Sequence, residues 1–223
     1  MSDLFQHRID SLRKRLRAQN LDAFLVLFEE NRRYLSGFTG EDTQFDESAG
    51  VLIITGDALI LATDSRYDLQ AKNEAPLYKV ICYRKGLAPE LPEILKKLSV
   101  SRMGFESRRM SVALFEKIRQ ACDTEKAGVE LVPVPDMMDH LRMIKDDMEI
   151  AAIREAAAIA ESAFLSMLNI LRPGMAETQA AWELEAALKS IRYNEENNQE
   201  SWHDYITEMN RQIAREKEAY EKL

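Results

Sequence analysis

The side chains able to do covalent or metal chemistry are few and scattered. The three histidines, His7, His140 and His203, fall in three different segments, and none opens an HExxH pattern or stands at ligand spacing from a cysteine. His203 adjoins Asp204, but an imidazole beside an acid in a polar stretch is ordinary solvated surface. Cys82 lies in an apolar strand pattern and Cys122 near a helix end, outside any CxxC arrangement, so both are expected as buried, reduced thiols. The nucleophile patterns GxSxG and SxxK are missing, as are the GxGxxG and GxxxxGK(S/T) loops that cradle phosphate. Spacing alone therefore assigns no catalytic residue, no metal ligand and no nucleotide site.

Two polar clusters nevertheless stand at informative places. Asp64, Ser65, Arg66 and Tyr67 occupy the point where an apolar, strand-like run gives way to a helix. Strand ends of that kind present ligand-contacting groups in open α/β sheets. The structural alternative is that Asp64 or Ser65 caps the helix and Arg66 pairs with a nearby acid. Asn31, Tyr34, Gly37, Phe38, Thr39 and Gly40 form the second cluster, whose plain reading is a helix-to-loop junction with glycines permitting unusual backbone angles.

The elements that must position these clusters follow from periodicity. Leu4, Phe5, Ile9, Leu12 and Leu16 recur at helical spacing, and Asn20 supplies a stop. The run Ala23 to Phe28 suits a strand buried on both faces of a sheet. GVLIIT and ALILAT form a hairpin joined by Gly56-Asp57, with positive φ expected at the glycine. After the hairpin come a helix over RYDLQAKNEA, a strand YKVICY, a helix LPEILKKL, a strand RMGFES, a helix SVALFEKIRQAC, a strand VELVPVP and a helical turn DMMDHLRMI. Strands and helices alternating in this way predict an α/β domain over residues 1–145, a mostly parallel or mixed sheet flanked by helices.

Beyond Lys145 the pattern is helical throughout. Ile150, Ile153, Ala157, Ala160, Phe164, Met167 and Leu171 mark one long amphipathic helix, Pro173-Gly174 ends it, and Glu177 opens a second over AETQAAWELEAALKS. No strand follows, so the apolar faces of this helical segment, 146–190, lack a sheet to cover them. In the tail, 191–223, Trp202, Ile206, Met209, Ile213, Tyr220 and Leu223 form a short coiled-coil-like stripe expected to pack on its own chain or on a second subunit.

Composition narrows the function classes. A net charge of -8 and a pI near 5.1 repel a phosphate backbone and an anionic bilayer, so neither nucleic acid nor membrane is an expected partner. The longest apolar runs fall far short of the roughly 20 residues that span a bilayer, and the N-terminus has no apolar signal-peptide core, which predicts a cytoplasmic protein.

NRRYLSGFTG, then a hairpin, then ATDSRYDLQA, resembles the N-terminal domain of the creatinase, prolidase and Xaa-Pro aminopeptidase family. LRMIKDDMEIAAIREAAAIAESAF followed by LRPGMAETQAAWELEAAL is similar to the junction where that family's pita-bread catalytic domain begins. The resemblance covers about residues 4 to 190 in family order. It departs at Ala176, where the family usually has a hydroxyl residue, and throughout the tail.

The resemblance implies a hydrolase family in which two divalent metal ions, of manganese or cobalt type, activate a water against the bond before proline. Their ligands lie downstream of the two helices present here, so no catalytic or metal residue carries over, no cofactor is expected in this chain, and it is expected to be inactive alone. What remains is a non-catalytic N-terminal portion contributing to dimerisation and active-site shaping, a homo-oligomer that meets proline-containing peptides only together with a catalytic domain. The substrate-proximal or interface candidates are Phe38, Thr39, Asp64, Arg66 and Tyr67, with Arg66 suited to a substrate carboxylate and Tyr67 or Phe38 to the wall of a proline pocket. A free-standing dimerisation or peptide-binding module that has lost catalysis is the alternative.

Overall fold

A computed structural model describes residues 2–42 and 48–197, so the expected tail stripe from Trp202 to Leu223 lies outside the described residues. Helix α1 (Ser2–Ala18) buries Ile9, Leu12 and Leu16, spaced as one helical face. It stops at Asn20, whose φ of 54° is the left-handed conformation that asparagine tolerates, and the Leu21 N–H closes onto the Leu16 carbonyl at 2.9 Å. Strand β1 (Ala23–Val26) and helix α2 (Glu29–Ser36) follow, then the hairpin β2 (Val51–Thr55) and β3 (Leu59–Thr63). Next come α3 (Asp68–Glu74), β4 (Lys79–Cys82), α4 (Leu87–Lys97), β5 (Arg102–Glu106), α5 (Val112–Thr124), β6 (Glu130–Val134) and α6 (Met137–Arg142).

The six strands lie in the order β4-β3-β2-β1-β5-β6. β2 is antiparallel to both β1 and β3, while β3–β4, β1–β5 and β5–β6 are parallel pairs. Every strand except β2 therefore points the same way, and their carboxyl ends share one edge of the sheet. β1 shows why a continuous apolar run was needed: Phe24 and Val26 enter a core with α1, α2, α3 and α6 residues, whereas Ala23 and Leu25 enter the opposite core with Leu91, Ile94, Leu95 and Ile118.

Local chemistry departs from expectation at four points. The Gly56-Asp57 connection is a two-residue hairpin loop, but Gly56 is not among the positive-φ residues. The Thr55 hydroxyl holds the turn instead, accepting the Ala58 N–H at 2.8 Å. α4 starts four residues earlier than LPEILKKL, because Leu87 and Ala88 extend the apolar face; Pro92, near its N-terminus, forfeits a single helical hydrogen bond. Neither Asp64 nor Ser65 caps α3, whose N-cap is Tyr67 without a side-chain bond. Cys82 is exposed, because β4 is an edge strand; Cys122 is buried.

The chain divides into two compact units, Met1–Ile144 and Lys145–Leu223. In the second, α7 (Asp147–Ile170) opens on a capping box, Asp146 accepting the Glu149 N–H at 2.9 Å while the Glu149 carboxylate accepts the Asp146 N–H at 3.1 Å. Gly174, with φ of 88°, turns the chain into α8 (Glu177–Asn197). No helix of the described residues is long and apolar enough to cross a membrane.

Candidate functional site

The carboxyl edge of the sheet carries the polar residues of the first unit that are hardest to explain as surface. Glu106 ends β5 beside the β1–α2 connection and is only 4% exposed. Its Oε2 accepts the N–H groups of Leu27 at 2.5 Å and Phe28 at 2.7 Å, and its Oε1 accepts from Asn31 Nδ2 at 2.5 Å. A carboxylate here also faces the positive end of α2. Burial nonetheless pushes its pKa above the ordinary range, against the lowering effect of those donors and of the Arg32 charge. Asn31 in turn accepts from Arg142 Nη1 at 2.8 Å, which ties α6 to the same point.

Arg32, one position along α2, has no solvent exposure. Its guanidinium donates to the carbonyls of Leu27 at 2.8 Å and Gly40 at 3.0 Å and grips Asp42 with two nitrogens, at 2.7 and 3.1 Å. Nε alone has no acceptor. Asp42 also accepts the Ala49 N–H at 2.9 Å, and Arg109 stands 3.6 Å away. Burial works against the Asp42 carboxylate, but the Arg32 and Ala49 hydrogen bonds and the two arginine charges hold its pKa below the usual value.

These contacts anchor the loop from Gly37 to Asp42. It leaves α2 through Gly37 at φ 81°, a left-handed cap in which the Gly37 N–H bonds the Arg33 carbonyl. Gly40 is required by close approach: a Cβ there would stand 2.6 Å from Phe38 Cε1 and 2.9 Å from Ala49 Cβ. From the other side, Glu74 of α3 accepts the Thr39 N–H at 2.7 Å and the Thr39 hydroxyl at 2.9 Å, while Gln70 bonds both. The Tyr67 hydroxyl donates to the Glu41 carbonyl at 3.3 Å, and the Tyr67 ring meets Phe38 edge-on at 6.3 Å.

The candidates from the two sequence clusters thus stand together. Phe38 is buried beneath the loop, Thr39 and Arg66 are exposed, and Asp64 and Tyr67 are half-buried. Asp64 accepts the Arg66 N–H and guanidinium, both at 2.8 Å, so its carboxyl is held below the usual range chiefly by Arg66. Arg66 also lies 5.5 Å from the Tyr67 ring centroid. Tyr83, which follows β4, has its phenol pushed up to about 12 by burial and by the Asp64 charge.

Sequence reasoning passed over Arg32, Asp42, Glu74, Glu106 and Arg142. One signal was available: Arg32 falls between Phe28 and Leu35 on the inward face of α2, where a charge has to find a buried partner. Among the described residues no group of three or more His, Cys, Asp or Glu is placed to hold a metal ion, so the described residues do not fit one.

Residues 8–144 match the family model for the creatinase/prolidase N-terminal domain. The uncharacterized peptidase YqhT of Bacillus subtilis is 32% identical over 183 residues, which are 82% of this chain and 49% of that protein. The structure of an Xaa-Pro dipeptidase from Bacillus anthracis is similar with a TM-score of 0.75 and 30% identity, over 83% of this chain and 49% of that one. The N-terminal domain of cytoplasmic peptidase PepQ from Mycobacterium tuberculosis gives a TM-score of 0.53 and 33% identity, over 61% of this chain and 98% of that one. The chain spans about half the length of curated relatives such as YqhT and the putative dipeptidase YkvY of Bacillus subtilis.

Proposed function

The chain belongs to the creatinase/prolidase N-terminal domain family, and from that premise we propose that it is the non-catalytic N-terminal portion of a cytoplasmic, metal-dependent Xaa-Pro peptidase of aminopeptidase P or prolidase type. Its work is dimerisation and the shaping of the active site, with two divalent ions supplied by the catalytic half. The observation that carries this reading is the double anchoring of the Gly37–Asp42 loop, by Arg32 beneath and Glu74 beside it. A loop held on two sides presents Thr39, Arg66 and Tyr67 as one preorganised rim, suited to meeting a peptide with a small entropic cost. In that arrangement Phe38 supports Tyr67 from below, and a peptide carboxylate reaching the rim would compete with Asp64, 2.8 Å away, for the exposed Arg66 guanidinium.

The test is a chimera joining this chain, through α8, to the C-terminal half of the Bacillus anthracis Xaa-Pro dipeptidase. The chimera is expected to cleave Xaa-Pro peptides with added manganese, and Arg66→Ala with Tyr67→Ala to raise KM while leaving the fold intact. The chain alone is expected to be inactive. Metal-stimulated, chelator-sensitive cleavage by the chain alone, or a chimera indifferent to the double substitution, would overturn the reading.

A further inference from the structure

The two edges of the sheet are finished differently. Each outer strand pairs on one side only, β6 with β5 and β4 with β3. The Glu130 N–H bonds the Ser101 carbonyl at 2.8 Å, so Glu130, Val132 and Val134 turn their backbone groups toward β5 and Pro133 faces the free edge. A proline there has no N–H to offer an added strand. On β4 the Tyr83 N–H bonds the Thr63 carbonyl at 2.8 Å, which turns the backbone groups of Lys79 and Ile81 toward β3 and leaves those of Val80 and Cys82 on the free edge. No proline interrupts this strand. Beside it a groove of about 320 Å³ lies between β4 and α4, with Ile60, Ile81, Ile94 and Leu98 as its apolar lining. Alternate side chains of a strand added to β4 would stand on the same face as Lys79 and Ile81 and enter that groove.

We propose that the free edge of β4 and the groove beside it take an extended segment of a partner protein as a seventh strand, a segment with alternating apolar residues and an acidic residue at each end. Main-chain bonds to Val80 and Cys82 would hold it and the groove would select its apolar side chains. Charge selects the ends. Residues 77–86 hold Lys79, Arg84 and Lys85 and no acid, in a chain whose net charge is -8. The neighbouring carboxylates are already engaged: Glu93 by Lys97 at 2.8 Å, and Glu90 by the Arg84 and Lys85 N–H groups, both at 2.7 Å. Among the described residues the side chains of Lys79, Arg84 and Lys85 have no acidic partner, so cations flank the strand at both ends. A second copy of β4 would bring the same cations against them, which disfavours pairing between copies and favours an acidic segment. The site lies within the first unit and is independent of the peptidase reading.

The probe is the peptide Glu-Thr-Leu-Thr-Leu-Thr-Glu with a fluorescent label, which reads the same in both directions, so strand orientation does not matter. Titrating it with the full chain is expected to give a saturable rise in anisotropy that salt weakens. The same peptide with lysine at both ends is expected to bind at least ~10-fold more weakly. Val80→Pro removes an outward N–H while leaving the bonds to β3 in place, and is expected to weaken binding at least ~10-fold with circular dichroism unchanged. Lys79→Glu with Lys85→Glu, both at exposed positions, is expected to reverse the preference between the two peptides. Hydrogen exchange should show the Val80 and Cys82 amides fast in the free chain and slowed by the acidic peptide. No saturable binding up to about 1 mM, equal binding of both peptides, or binding untouched by Val80→Pro in a folded chain would overturn the proposal. Val80 and Cys82 amides already protected in the free chain would mean that another segment of the chain covers the edge, and a mass of twice 25.6 kDa that Val80→Pro abolishes would assign it to a second copy; either result overturns the proposal equally.

Discussion

Arg32 and Asp42 meet at 2.7 Å with the guanidinium wholly buried and the carboxylate 6% exposed. Ten residues apart in the chain, they join the inward face of α2 to the end of the Gly37–Asp42 loop. Both charges have lost their water, and the pair is tolerable because carbonyl acceptors and the Ala49 N–H satisfy most of what remains.

Removing one member should therefore cost more than removing both. Arg32→Met leaves a buried carboxylate with Arg109 as its remaining cation and is expected to destabilise the first unit by about 3–5 kcal/mol. Arg32→Met combined with Asp42→Leu should recover much of that loss. Urea unfolding of the two variants decides it, and equal costs would show that the pair is not mutually compensating.

Asp42 and Glu106 impose opposite slopes on stability with pH. The folded pKa of Asp42 is depressed, so its contribution is present above its ordinary pKa of 3.8 and is lost as pH falls through the folded value. That of Glu106 is raised, so its contribution is complete below the ordinary 4.5 and is lost as pH rises through the folded value. Asp42→Asn should flatten the acid limb of the stability profile. Glu106→Gln should remove the decline on the other side, and unfolding free energies measured from pH 3 to 8 would reveal both.

Glu106→Gln carries a separate cost at neutral pH. A glutamine amide can still accept the Leu27 and Phe28 N–H groups through its oxygen, but its NH2 then faces Asn31 Nδ2, donor against donor. Turning Asn31 over only transfers the conflict to Arg142. A loss of about 1–3 kcal/mol is expected, and Asn31→Asp in the same background, which supplies an acceptor to both neighbours, should restore part of it.

Glu74 should govern the loop and leave the fold nearly untouched. Glu74→Ala deletes the acceptor of the Thr39 N–H and hydroxyl at an exposed site, for about 1 kcal/mol or less. Hydrogen exchange at the Thr39 amide should accelerate strongly while the β1 and β2 amides keep their protection. Uniform acceleration would mean that Glu74 supports the whole unit.

The two thiols should react in sequence. Cys82 is exposed on the edge strand β4 and should be alkylated in the native protein; Cys122 is buried, with burial raising its pKa, and should react only on unfolding. Mass spectrometry after a short alkylation, with and without denaturant, checks this.

The sequence by itself determined the elements and the faces they present. Phe24 and Val26 alternating with Ala23 and Leu25 already announce a strand covered on both sides, and Ile9, Leu12 and Leu16 announce the inward face of α1, because side-chain direction repeats with the local backbone period. Asn20 and Pro173–Gly174 announce breaks for equally local reasons. The GFTG and DSRY clusters were legible as residues, but their adjacency was not, since it required β2 and β3 to fold back beside β1. Local pattern also failed at Gly56, where the Thr55 hydroxyl made a left-handed glycine unnecessary, and at Cys82, whose apolar strand took the edge of the sheet. Only the tertiary structure decided the polar framework: Glu106 meets Asn31 across 75 residues, and Arg142 meets Asn31 across 111. A charged side chain enters the interior only where its partner also arrives, and that arrival depends on strand order, which no local period records.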